Sequence, residues 1–265
     1  MQLNFKKIGE GTPLIILHGL FGSLDNWMTI AKELGKDFEV YIVDARNHGQ
    51  SPHDEVFNYP VMVEDLVEFI LTVIARNEAI CPNDKPLPII LGHSMGGKTA
   101  MQFAVDYPHL ISKLIVVDIA PKAYPIHHDL IINSLKSLNF NEIKTRKEAE
   151  DKLAQYIFDL STRQFLLKNV YWAAQGQLAF RFNLEVISKN IDEVGAEIKF
   201  TSPFYQHTLF IRGDQSNYIL DSDFEQIFTI FPNALVKTIE NSGHWVHAEQ
   251  PFTFLSVVKA FLLRQ

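Results

Sequence analysis

The sequence predicts an α/β protein with a mostly parallel central sheet flanked by helices. Three observations carry that expectation. Short runs dense in Ile, Val and Leu recur without polar alternation, as strands covered on both faces do. Helical stripes separate them, and one such stripe follows a G-x-S-x-G turn directly after a strand-like run.

Pro13–Leu17 reads as the first buried strand and 38–43 as the second. Residues 60–76 form the clearest helix, with Val63, Leu66, Val67, Ile70, Leu71 and Ile74 on one stripe and Pro60 in its first turn. The apolar run 87–91 is the third strand, and small residues over 97–104 read as the helix behind it. Lys113–Val117 is the fourth strand. From Pro121 to about Pro203 strand-like runs vanish and helical stripes take over. There Thr145 and Glu148 suit a capping box ahead of Ala149, Leu153, Tyr156 and Ile157. The earlier grammar then resumes: 207–211 and Ala234–Ile239 as strands, 221–230 as a helix, and a closing helix opened by Pro251 with Phe252, Leu255, Val258 and Leu262 inward. The expected division is a core of residues 1–120 and 204–265 with a helical cap, 121–203, inserted after the strand ending at Asp118.

A chain of 265 residues, 47% hydrophobic, can bury a large single core without disulfide or metal support. The formal charge of -7 and the lack of a basic run argue against a nucleic-acid partner. Cys81 is the single cysteine, so no internal disulfide forms, and it reads as an inert loop thiol. The amino terminus lacks the apolar region of a secretory signal, and no apolar stretch approaches the roughly 18 residues that span a bilayer. The expectation is a cytoplasmic protein without a membrane span.

Gly92-His93-Ser94-Met95-Gly96 between a strand and a helix reads as a nucleophile elbow, which lifts the Ser94 hydroxyl into a cleft. A serine hydroxyl is a weak nucleophile until a base takes its proton, so a histidine and an acid must reach it. His244 follows the last strand and precedes the closing helix, which puts it on the edge where the elbow opens; His247 reads as a surface or core hydrogen-bonder. The pair offers no third ligand for a metal, and no metal is expected. In the order serine, acid, histidine, two carboxylates follow strands at the same edge: Asp118 and Asp214. Both satisfy that order.

Five segments are then diagnostic together. His18-Gly19-Leu20-Phe21-Gly22-Ser23, Asp44-Ala45-Arg46-Asn47-His48-Gly49-Gln50-Ser51, Gly92 to Lys98, Asp118-Ile119-Ala120-Pro121 and Gly243-His244-Trp245-Val246-His247-Ala248-Glu249 resemble the YbfF-type esterases of the α/β-hydrolase fold. The likeness runs from about residue 2 to the end. It implies that the acid is Asp118, because the position that usually carries it, three residues after Gly213, is Ser216. Asp214 would then be a turn-capping side chain. It also implies that the backbone N–H groups of Leu20 and Met95 form the oxyanion hole, while His18 braces a loop. Asp44 and Arg46 read as loop scaffolding, since the segment lacks any nucleotide-binding glycine pattern.

The implied activity is hydrolysis of short acyl esters and acyl thioesters, including acyl-CoA, by a Ser94–His244–Asp118 triad without a cofactor. The same triad on this fold also serves carbon–carbon hydrolases and cofactor-free perhydrolases, and a catalytically silent binder is the reading from another class. Halide displacement would need aspartate in place of Ser94. Phe140, Phe158, Phe165, Tyr171, Trp172, Phe180 and Phe182 are expected to be mostly core, with some facing the elbow; Arg163, Lys168 and Arg181 read as solvated cations that could meet a phosphorylated leaving group.

Overall fold

The computed structural model describes residues 1–74, 86–125 and 129–263. In chain order the strands are β1 (Phe5–Ile8), β2 (Pro13–Leu17), β3 (Glu39–Val43), β4 (Ile89–His93), β5 (Lys113–Val117), β6 (Val170–Ala174), β7 (Gln177–Phe180), β8 (Thr208–Gly213) and β9 (Ala234–Ile239). The helices are α1 (Met28–Leu34), α2 (Tyr59–Phe69), α3 (Met95–Asp106), α4 (Asp129–Lys136), α5 (Arg146–Leu153), α6 (Leu160–Leu167), α7 (Leu184–Lys189), α8 (Ile191–Gly195), α9 (Phe224–Ile230), α10 (Val246–Glu249) and α11 (Pro251–Leu262).

Seven strands form one sheet in the order β1-β3-β2-β4-β5-β8-β9. All neighbours are parallel except β1, which pairs antiparallel with β3. The apolar runs fill it because both faces are covered. On β2, Ile15 joins a core with Val63, Leu66 and Phe69 of α2 and Met101 and Phe103 of α3. Its neighbours Leu14 and Ile16 point the other way, onto Ile30 and Leu34 of α1 and Phe254 and Val258 of α11. Each such fully buried side chain contributes about 2 kcal/mol relative to exposure. The chain winds from β2 outward to β3 and then returns to place β4 on the other side of β2. Loops after β2 and β4 therefore diverge at the carboxyl edge and leave a crevice there.

α2 begins with Asn58, whose side chain accepts from Val61 N, and the backbone continues as a π-helical turn over Ile70–Ile74, where Leu71, expected on the buried stripe, is exposed. The expected end of this helix at Arg76 and the thiol of Cys81 lie outside the described residues. The third predicted strand is shifted: β4 starts at Ile89, two residues late, because Leu87 is exposed ahead of it. Phe252, expected inward, is 88% exposed, and Phe254 takes its place in the core.

Three strands were not anticipated. β1 carries Lys6 and Lys7 on an edge, where charge discourages further pairing. β6 and β7 form a hairpin inside the segment expected to be helical throughout. Val170, Tyr171 and Trp172 favour a strand, and Gly176 supplies the turn at φ 74°. Among the described residues the other regular elements of that segment are the helices α4 to α8. Thr145 caps α5 by accepting from Glu148 N, but the Glu148 carboxylate accepts from Lys144 N and not from Thr145 N, so the capping box is displaced by one residue. Ile132, Leu135, Leu153, Leu166 and Ile187 of the segment pack with Leu20, Phe57, Met62 and Met95 over the crevice. Among the described residues no helix is long and apolar enough to cross a membrane.

Candidate active site

Ser94 stands between β4 and α3 at φ 52°, ψ −120°, a conformation that costs an L-residue energy and is kept only by its surroundings. The surroundings demand glycines. A Cβ on Gly92 would stand 2.2 Å from the Gly96 carbonyl oxygen, and one on Gly96 would stand 2.5 Å from that of Leu17. Strand and helix thus meet at backbone contact, and the serine at the apex is pushed outward into the crevice. Its amide donates to Val117 O at 3.0 Å, which fixes the elbow to β5.

Asp118 follows β5 and also has a positive φ, 50°. It is fully buried. Its Oδ1 accepts from Gly213 N at 3.2 Å and its Oδ2 accepts from the Ser216 hydroxyl and from His244 Nδ1 at 2.7 Å. His244 arrives from the loop after β9. Its ring stacks on Tyr218 with centroids 3.9 Å apart, and its carbonyl accepts from His93 Nε2 at 2.9 Å. With Nδ1–H donated to Asp118, the ring leaves the lone pair of Nε2 available. Ser94 and His244 line one cavity of about 220 Å³, together with Gly19, Leu20, Phe165 and Trp245.

Asp214 is elsewhere. It is exposed, accepts from Ser242 N at 3.1 Å, and that backbone hydrogen bond holds its carboxyl below the usual carboxylate range. It caps a turn. Ser216, three residues after Gly213 and expected to play no part as an acid, donates its hydroxyl to Asp118. Its spacing from Gly213 was the available signal; what the spacing did not reveal is where the hydroxyl points.

The loop after β2 carries Leu20 over the crevice and is braced from below. Ala45 N donates to His18 Nε2 at 3.0 Å while His18 Nδ1 donates to Gly19 O at 2.8 Å. Phe21 N donates to His48 Nε2 at 3.2 Å, and His48 Nδ1 donates to Arg46 O at 2.9 Å. Both rings are therefore single neutral tautomers. Burial drives the His48 pKa down to about 3 and lowers that of His18, against the attraction of Asp44. Asp44 accepts from Leu24 N and Gln50 N, and Arg46 grips Asp65 through two nitrogens at 2.6 and 2.9 Å, so this segment is scaffolding. Among the described residues the Leu20 and Met95 amides donate to no protein acceptor.

His247 is buried, with its ring stacked 3.9 Å from that of Trp27 and its Nδ1 unpartnered. It is a packing ring rather than the expected hydrogen-bonder at that atom. Burial, and next His244, push its pKa down to about 3. Of the cap aromatics, Phe165 lines the cavity, Phe182 is buried against Phe21 and Phe180, and Phe158 and Trp172 are exposed. Arg163 is spent on the carbonyls of Ile157 and Phe158, and Arg181 lies 4.7 Å from the Tyr171 ring centre.

Comparison with known proteins fits this geometry. Residues 12–251 match the family model described as alpha/beta hydrolase fold. The chain is 36% identical to Esterase YbfF of Escherichia coli over 96% of this chain and 94% of that protein. It is 37% identical to the sn-1-specific diacylglycerol lipase ABHD11 of Danio rerio over 97% of this chain and 80% of that protein. Among solved structures, a marine microorganism esterase superposes with a TM-score of 0.92 at 44% identity, covering 98% of this chain and 99% of that one.

Proposed function

The chain belongs to the alpha/beta hydrolase fold family and is an esterase/lipase-type member of it; from that premise we propose that it cleaves carboxylic esters or acyl thioesters through an acyl-enzyme on Ser94. The observation that carries the reading is the 2.7 Å contact of the buried Asp118 carboxylate with His244 Nδ1, on a ring lining the same cavity as the strained Ser94.

In this reading His244 Nε2 takes the Ser94 proton as Oγ attacks the carbonyl carbon. The carbonyl oxygen becomes an oxyanion held by the N–H groups of Leu20 and Met95, each worth roughly 3 kcal/mol in the transition state. The imidazolium, stabilised by Asp118, gives its proton to the departing oxygen or sulfur. Water enters, loses a proton to His244, attacks the acyl carbon, and the carboxylic acid leaves as Ser94 regains its hydrogen. Asp118 stays ionised throughout and holds the ring in one tautomer.

The test is turnover of p-nitrophenyl esters and acyl thioesters together with labelling by a fluorophosphonate. Wild type should label on Ser94 and hydrolyse esters, and Ser94→Ala should do neither. A wild-type protein that hydrolyses esters while Ser94 remains unlabelled would overturn the role of the serine.

A further inference from the structure

Ser94 stands where two cavities meet. The larger, about 220 Å³, is lined by His244, Trp245, Phe165 and Leu166. The smaller, about 30 Å³, lies on the Met95 side and is walled by Tyr59, Ile119, Tyr124, Ile191 and Val194. Leu20 and Tyr218 border both. His244 lines the larger of these two and not the smaller.

That asymmetry sorts the two halves of an ester. The departing oxygen or sulfur must meet the imidazole that protonates it, within about 3 Å or through one water. The substituent on the other side of the carbonyl carbon then points away from His244. Roughly 10–15 Å³ of cavity is what one water needs, so about 30 Å³ takes only two or three heavy atoms. We infer that the larger cavity receives the alcohol or thiol and the smaller one the acyl chain, so that the short acyl groups the resemblance implies are taken on bulky apolar leaving groups. The inference rests on the proposed Ser94 mechanism and adds to it the direction in which the substrate lies.

The walls of the smaller cavity are held in place, which makes the acyl limit sharp. Tyr59 donates its hydroxyl to Val194 O at 2.7 Å, and Tyr124 N donates to Gly195 O at 2.8 Å. Tyr124 accepts from Ala120 N at 2.8 Å and donates to Tyr218 O. Beneath them the buried Lys98 of α3 donates its ammonium to Lys122 O at 2.5 Å and to Ala196 O, and so joins the stretch after β5 to the stretch after α8. Ile198 N donates to Pro121 O at 2.8 Å beside this clasp. The larger cavity has a different wall: Thr162, Phe165 and Leu166 come from the single helix α6, with the Phe165 ring 5.3 Å from that of Trp245.

The experiment is a crossed panel on wild type and two kinds of variant. With p-nitrophenol fixed, kcat/KM should fall by about 100-fold or more from acetyl to octanoyl; with acetate fixed, it should rise from methyl to octyl alcohol. Ile191→Ala and Val194→Ala, each alone, should raise the octanoyl-to-acetyl ratio by about tenfold, whereas Phe165→Ala should alter the alcohol series and leave the acyl limit where it was. An acyl limit that moves with Phe165→Ala and ignores both α8 variants would overturn the orientation alone, as would a wild-type preference for octanoyl over acetyl. If no ester at all is turned over, the orientation falls together with the mechanism beneath it.

Discussion

Ser216 and His244 share one oxygen of Asp118: the serine hydroxyl and the ring Nδ1 both donate to Oδ2. The carboxylate is thereby fixed in rotation as well as in place, with Oδ1 turned to Gly213 N. Removing the hydroxyl leaves a fully buried anion with one hydrogen bond fewer, a loss of about 1.5–3 kcal/mol for a charged acceptor. Ser216→Ala should lower kcat roughly tenfold, with KM little changed, and Ser216→Thr should restore part of the loss. Steady-state kinetics on one good ester checks this.

Neutralising the acid is the stronger test. Asp118→Asn should lower kcat by about 10⁴ by removing the charge that holds the tautomer. Asp214→Asn should change kcat by less than about twofold, since its partner is a turn amide at the surface. A large effect at 214 with a small one at 118 would reverse the assignment.

Acid should unfold the protein through its buried rings. His48 and His247 have folded pKa values near 3, against an ordinary 6.5, because burial disfavours the charged form. The unfolded chain binds the protons that the fold refuses. Stability from these groups is therefore complete above pH 6.5 and is lost as pH falls from 6.5 toward 3. By pH 4.5 each ring costs about 3 kcal/mol. Urea midpoints measured from pH 7 to 4.5 should drop steeply, and His247→Gln should flatten the slope; a midpoint independent of pH over that range would refute the account.

Contact between backbone atoms at the elbow leaves no room for a methyl group. Gly96→Ala would drive a Cβ to 2.5 Å from Leu17 O and 2.6 Å from His18 O. We expect a loss of about 3 kcal/mol or more, a fall in Tm of roughly 6–12 °C, readable by thermal melting. Unchanged Tm would mean that β2 and α3 can part without cost.

Where two residues are joined by a short turn, the sequence spoke for itself. Ser94 with its glycines, and the strand–helix alternation that puts β4, β5, β8 and β9 in one parallel sheet, follow from local pattern alone. Asp118 and Asp214 were indistinguishable at that level, because both follow strands at the same edge; only the direction of a side chain across the sheet separates them, and no periodicity encodes it. Resemblance pointed to Asp118, whose carboxylate contacts His244 Nδ1, and the proposed mechanism is built on that pair. The contacts of Ser216 with Asp118 and of Tyr218 with His244 were hidden for the same reason, since both residues lie on the loop after β8, whose path no periodicity encodes. β1 and the β6–β7 hairpin escaped because edge strands and short hairpins lack the continuous apolar run that marks a doubly covered strand.

The hydrogen bond from His93 to the carbonyl of His244 ties the residue just before Ser94 to the loop that follows β9. Fraying of either segment breaks that bond. On warming, loss of turnover should therefore track the earliest opening of this knot rather than a gradual drift, and amide exchange at 93–95 and 243–245 should quicken in step with inactivation.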